Sequence, residues 1–219
     1  MLKRGGILSN PKTVCTIMRR KGWLSSAREK VQRSHRRHEG KVAMEVPNTR
    51  WASDISLIRA WNGKKIRVAV IADCADRTVL TFRVQPNITG EDLSEMVKEA
   101  IYARFGQNRE KARGIQFLSD NGTEYRSKSL QGTLLLLGLK PCYTPIRSPE
   151  SNGLMESFFK TLKRDYVYQN VLEEPQDIVR QMPDWIAHYN EVAPHSALAM
   201  QSPAEFYRKW MSKNKEMPV

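Results

Sequence analysis

Between Trp51 and Ile58 apolar and polar residues take turns, the two-residue period of a strand with one face against a core. Asn62-Gly63 follows, a strong hairpin signal, and then come two further strand patterns. These are Lys65 to Ala72, with Ile66, Val68, Val70 and Ile71, and Val79 to Val84. Three such runs joined by short connections predict an antiparallel meander. The period then changes. Thr89-Gly90-Glu91-Asp92 opens a helix that sets Leu93, Met96, Val97, Ala100 and Ile101 on one face. Ile115 to Leu118 reads as a short buried strand ending at Asp120-Asn121-Gly122, Ser127 to Leu137 as a helix stopped by Gly138, and Lys140 to Tyr143 as a last strand.

After the loop 144–153, Leu154 to about Tyr168 carries Leu154, Phe158 and Leu162 in one stripe, with Phe159 and Tyr166 beside it. Helices over Asp177 to Asn190 and from Pro203 complete the pattern. Three strands followed by helix, strand, helix, strand, helix predict an α/β architecture, a mixed five-stranded sheet covered by helices. Upstream, Pro11 to Trp23 has the spacing of a short basic amphipathic helix, and Ser25 to Gly40 reads as a basic linker.

Charge alters the picture at the N-terminus. The chain has 219 residues and a net charge of +13. Residues 1–40 hold 11 Lys and Arg against 2 acids, so a small part of the chain carries most of the excess. Such an arm suits a polyanion, because each phosphate contact releases condensed counterions. A solvated tail or an arm drawn to an acidic membrane fits the same composition. No run approaches the roughly 18 apolar residues of a membrane span, and the first residues lack an apolar stretch of secretory length, so neither a span nor a signal peptide is expected. Cys15, Cys74 and Cys142 are widely separated, which predicts reduced thiols rather than a disulfide framework or a zinc knuckle.

Three acids occupy positions with chemical consequence. Asp54 lies inside the first strand, Asp120 just after the fourth, and Glu156 one turn into the long helix. If the first and fourth strands are neighbours, their acids converge and the helix can bring the third from the side. Carboxylates brought together raise one another's pKa, a cost that a divalent cation removes. Mg²⁺ prefers oxygen ligands and leaves positions open for water and phosphate. Two such ions about 4 Å apart flank a phosphodiester in two-metal sites. Each acid also has an ordinary reading: Asp120-Asn121-Gly122 is a common turn, and Glu156 with Lys160 is an i, i+4 pair. Asp73 reads as holding the turn before Arg77, Glu124 as peripheral, and His195 as structural.

Taken together, Trp51-Ala52-Ser53-Asp54-Ile55-Ser56, Asp120-Asn121-Gly122-Thr123-Glu124-Tyr125 and Ser148-Pro149-x-x-Asn152-Gly153-x-x-Glu156 resemble the DDE integrase core shared by retroviral integrases and insertion-sequence transposases. Thirty-five residues separate Asp120 from Glu156, the spacing of that family. The tail motifs His188-Tyr189-Asn190, Pro194-His195-Ser196-Ala197-Leu198 and Ser202-Pro203-Ala204-Glu205-Phe206 resemble bacterial transposases encoded as two overlapping frames, and this chain resembles the second, OrfB. The resemblance spans roughly residues 44–208. It departs from the family at Ala193, Ala199 and Met200, where a basic residue, Gly and Tyr are more usual, and His35 and His38 lack the Cys pair of the retroviral zinc module.

The resemblance implies an RNase H-like fold in residues 44–210, preceded by a helix-turn-helix-like basic segment (1–24) and a basic linker (25–43), and followed by a tail (211–219). It implies Asp54, Asp120 and Glu156 as catalytic metal ligands for Mg²⁺ or Mn²⁺, two ions in the active complex. It also implies Lys160, Lys163, Asn152 and Arg147 as DNA contacts. The expected reaction is cleavage that leaves a 3′-OH, followed by attack of that hydroxyl on a second phosphodiester. Expected partners are transposon-end and target DNA, further copies of this chain on DNA, and the OrfA product, with no membrane, in the bacterial cytoplasm at the nucleoid. An inactive DNA-binding remnant and a simple RNase H-type nuclease are the alternatives.

Overall fold

The computed structural model describes residues 10–24, 44–144 and 152–215. The expected linker (25–43) and Arg147 lie outside these residues. The chain forms two units, Met1–Gly40 and Lys41–Val219. In the first, helix α1 (Pro11–Arg20) starts where Asn10 caps it, its side chain accepting from the Lys12 N–H at 2.9 Å, with Pro at the first helical position. Arg19 and Arg20 sit in the last turn, the end where the helix dipole favours cations. The helix ends earlier than its apolar spacing predicts, because Gly22 adopts a φ of +69°.

The second unit is built on a five-stranded sheet of order β3-β2-β1-β4-β5. Strands β1 (Arg50–Arg59), β2 (Lys65–Asp73) and β3 (Val79–Gln85) form the expected antiparallel meander, turning at Asn62-Gly63. Strands β4 (Gln116–Ser119) and β5 (Lys140–Tyr143) add in parallel on the other side of β1. Strand β2 is buried on both faces, which explains its near-continuous apolar run.

Each face of the sheet carries its own core. On one, Ala52, Ile58, Val68 and Val70 pack against helices α4 (Gly153–Asp165) and α5 (Pro175–Glu191) through Phe158, Phe159, Met182 and Trp185. On the other, Trp51, Ala69 and Ile71 meet helices α2 (Gly90–Phe105) and α3 (Lys128–Leu136) through Leu93, Met96, Leu130 and Leu134. A last helix, α6, covers Pro203–Lys215.

Helix α2 opens with a reciprocal capping box between Thr89 and Asp92. Its first residue must be small: a Cβ on Gly90 would fall 1.9 Å from the Ser127 Oγ, and Ser127 is the cap of α3. The start of α2 therefore locks against the start of α3. Helix α4 stops at Asp165, short of the Tyr168 that the apolar stripe predicts. Tyr166 instead turns into the core, its hydroxyl 2.9 Å from His188 Nδ1, and a single 3₁₀ turn follows. Helix α5 begins at Pro175, two residues before the expected start, because Glu174 and Asp177 form a capping box there.

Candidate active site

The carboxylates meet because of strand register. Ala52 of β1 stands opposite Leu118 of β4 in a parallel pair. Two residues further along the chain from each come Asp54, still within β1, and Asp120, the first residue after β4. Asp54 lies midway along β1, just past the stretch paired with β4, and Asp120 lies just past the C-terminal end of β4, the end where open α/β sheets place their ligands. A hollow of about 230 Å³ opens there, lined by Asp54, Ile55, Leu57, Arg67, Asp120, Gly122, Glu124 and Tyr125.

Asp54 is partly buried, and its Oδ1 accepts from the Ile55 N–H at 2.9 Å. Burial pushes its carboxyl up to about 6, with Asp120 adding to the rise and the Ile55 N–H and Lys163 opposing it. Asp120 is exposed, its Oδ1 accepting from the Gly122 N–H at 2.9 Å to close the turn after β4. The turn is tied to β1 from beneath by buried Tyr125, whose hydroxyl lies 2.9 Å from Ser53 Oγ. Ser53 directly precedes Asp54, so this bond fixes the two acids relative to one another.

The third expected acid arrives by another route. Asn152 donates from Nδ2 to the Ser53 carbonyl at 3.3 Å, and Lys163 donates from Nζ to Ser56 Oγ at 2.9 Å. These contacts pin α4 along β1 on either side of Asp54. Glu156 and Lys160 fall between them in the same helical stripe. The Glu156 carboxylate is more than half exposed and takes Lys160 Nζ at 2.6 Å. The structure thus brings Asp54 and Asp120 together and holds Glu156 on Lys160 along the same edge. Among the described residues no three His, Cys, Asp or Glu side chains close into a metal-binding group.

Glu124 differs from its expected peripheral place. It forms a wall of the hollow, its Oε1 accepting from Arg67 Nη1 at 2.6 Å and its Oε2 from the Thr123 hydroxyl at 3.0 Å. The sequence signal for this pair was Arg67 itself, a charge inside the apolar run of β2. Asp73 holds a turn, as expected: fully buried, it accepts from the backbone N–H groups of Asn48, Ala75 and Asp76 at 2.7, 2.7 and 3.2 Å. Asp76 and Arg104, which complete that buried knot, carried no sequence signal of their own. His195 packs edge-on against Tyr189 at 4.6 Å and bridges Gln201, away from the acids.

Two models of an integrase core domain match the chain, over residues 45–149 and 137–203. The chain is 43% identical over 178 residues to a protein of insertion element IS136 from Agrobacterium fabrum strain C58, covering 80% of this chain and 91% of that one. This chain belongs to the integrase core family. It is also 37% identical over 203 residues to transposase InsD for insertion element IS2D of Escherichia coli strain K12, covering 91% of this chain and 66% of that one.

Solved structures agree with the RNase H-like fold of the family. One is the simian T-cell lymphotropic virus intasome in complex with PP2A regulatory subunit B56 gamma, with a TM-score of 0.64, 20% identity, and coverage of 91% of this chain and 67% of that one. Another is the Mos1 transposase catalytic domain with raltegravir and magnesium, with a TM-score of 0.52, 17% identity, and coverage of 76% and 78%. Members of this integrase and transposase family are DDE polynucleotidyl transferases. Among the described residues no helix is long and apolar enough to cross a membrane.

Proposed function

We propose that this chain is the catalytic subunit of a bacterial DNA transposase, with Asp54, Asp120 and Glu156 as its catalytic carboxylates. The observation that carries the reading is that Asp54 and Asp120, each two residues past the last β1–β4 pair, Ala52 and Leu118, line one hollow. The donor set suits a hard divalent ion: it is all oxygen, and Asp54 is held near 6 by burial and by Asp120, a cost a cation relieves. Asp54, Asp120 and Glu156, the last after release from Lys160, are the residues that would hold Mg²⁺ or Mn²⁺, two ions in the active complex. Bound there, the ions supply activation of the attacking hydroxyl and charge stabilisation at the leaving oxygen.

The chain's own residues position the DNA. Lys163 sits against Ser56, beside Asp54, and with Lys160 forms a cationic edge for a phosphate backbone. Asn152 anchors the start of α4 to β1 and, with Arg147, completes the proposed DNA contacts. Water attacks phosphorus at the element end, the P–O3′ bond breaks, and the 3′ oxygen takes a proton. That 3′-OH then loses its proton as its oxygen bonds to phosphorus of a second strand, whose P–O3′ bond breaks and whose departing 3′ oxygen takes a proton. The proposed division of labour gives catalysis to residues 44–210, non-specific phosphate binding to the basic segments 1–24 and 25–43, and a terminal extension to 211–219. We assign further copies of the chain and the OrfA product as partners, and the bacterial cytoplasm, at the nucleoid, as the setting.

The test is direct. End-labelled element DNA is incubated with the protein and Mg²⁺ or Mn²⁺, beside an Asp120→Asn variant. Nicking and joining by wild type alone is the expected result. Equal behaviour of the two proteins would refute the enzymatic reading and leave a DNA-binding remnant. Cleavage confined to RNA–DNA hybrids, without joining, would point to an RNase H-type nuclease.

A further inference from the structure

The lysines of α4 serve one face of the sheet, the face of Asp54 and Ser56. On the opposite face the β1–β2 hairpin extends beyond the hollow, and its register sets Leu57 across from Arg67 and Arg59 across from Lys65. These four side chains share the face that carries Trp51 and Ala69 further back. The hairpin is covered on one side only: Ile58 and Ile66 are each 2% exposed, whereas Leu57, Arg59 and Lys65 are open. Arg59 and Lys65 have no acidic partner among the described residues; Arg59 makes one long contact, 3.4 Å, to the Gly63 carbonyl. Further back on that face the next cation, Arg83, is matched by Glu99 at 2.5 Å and Asp92 at 3.5 Å. Among the strand cations on this face, Arg59 and Lys65 are therefore the ones left without an acidic partner among the described residues.

At the inner end of this row stands Arg67, on the wall of the hollow that holds Asp54 and Asp120. Glu124 grips it through one nitrogen, Nη1, and the other guanidinium N–H groups have no partner among the described residues. Glu124 is itself steadied by Thr123. An arginine fixed at one edge and open at the other is prearranged for a phosphate.

We infer that the bare face of the β1–β2 hairpin is a second track for a DNA backbone, with Arg59 and Lys65 on phosphates and Arg67, held by Glu124, aligning the phosphodiester that enters the hollow. This rests on the strand-transfer reading above. Joining brings two DNA segments to one pair of acids, and the two cationic rows approach that pair from opposite faces of the sheet.

An Arg59→Thr/Lys65→Thr variant removes both outer charges while keeping strand-forming side chains. DNA affinity is measured against salt for wild type and variant, with thermal melting to check the fold. Each phosphate contact contributes about 0.9 to the slope of log affinity against log salt, so the variant's slope falls by roughly 1.8. An unchanged slope in a variant that melts like wild type overturns the track. End hydrolysis and joining are then assayed separately with Mg²⁺. Loss of joining alone assigns the hairpin to the acceptor duplex, and loss of both assigns it to the element end. The Arg67→Gln/Glu124→Gln pair, which removes both charges of the grip, lowers the joining rate at saturating DNA at least tenfold. A wild-type rate would overturn the role given to Arg67. Failure of wild type to nick would sink the transposase reading, while the salt slope still decides the track.

Discussion

Arg104 offers the sharpest test of how the fold is held. Its side chain is 4% exposed and lies 2.5 Å from Asp76 and 3.4 Å from Asp73, both fully buried, while its guanidinium sits 4.0 Å from the centre of the Tyr207 ring. Arg104→Met keeps much of the side-chain volume and leaves two acids without their cation. Breaking a buried pair from one side costs about 3–5 kcal/mol. In a domain of this size each kcal/mol lowers the melting temperature by roughly 2–4 °C, so a drop of about 6–20 °C is expected. Burial and Asp76 already push the Asp73 carboxyl up, and Arg104 opposes them; without the arginine it rises further. A carboxyl whose folded pKa exceeds its unfolded one stabilises most at low pH and loses that contribution as pH climbs through the folded value. The penalty of Arg104→Met should therefore be largest near pH 7 and shrink toward pH 5. Urea denaturation at several pH values measures it, with Asp76→Asn/Arg104→Met as the second arm, expected to recover at least about 1 kcal/mol. A loss under about 1 kcal/mol at pH 7, or one indifferent to pH, would refute the reasoning.

Two further substitutions probe how the site is built. Tyr125→Phe removes the partner of the buried Ser53 hydroxyl beside Asp54, and a loss of about 1–2 kcal/mol in chemical denaturation is expected; wild-type stability would contradict the assigned bond. Gly90→Ala forces a methyl group to 1.9 Å from the Ser127 Oγ, and a loss of about 1–3 kcal/mol is expected by the same measurement; tolerance without loss would show that α2 and α3 are not locked there.

Strand period and hairpin chemistry made the meander legible, because β1 to β3 are joined by short turns and bury alternating side chains. Thr89 and Ser127 were readable as helix starts for the same local reason: each caps the backbone within three residues. Asp54 stood out as an acid inside an apolar strand and Asp120 as one just after a strand, but their meeting depends on a pairing between distant segments, which periodicity does not encode. The place of Glu124 on the wall of the hollow is hidden from the sequence for the same reason. Its partner Arg67 lies 57 residues away, and only the sheet register brings them to one wall. The knot of Asp73, Asp76 and Arg104 joins a turn to the end of α2 in the same manner. Helix ends shifted where a side chain found a tertiary partner, as Tyr166 did with His188.

The two strands that carry the acid pair begin 66 residues apart and lie side by side in parallel. No local turn can preassemble such neighbours; the intervening chain must cross over first. A ribosome-bound or clipped polypeptide that ends before β4 has Asp54 opposite Val70 of β2 but no Asp120 beside it. On the function proposed above, cutting power emerges only with the finished sheet, and a half-built chain holds one acid of the pair without the other.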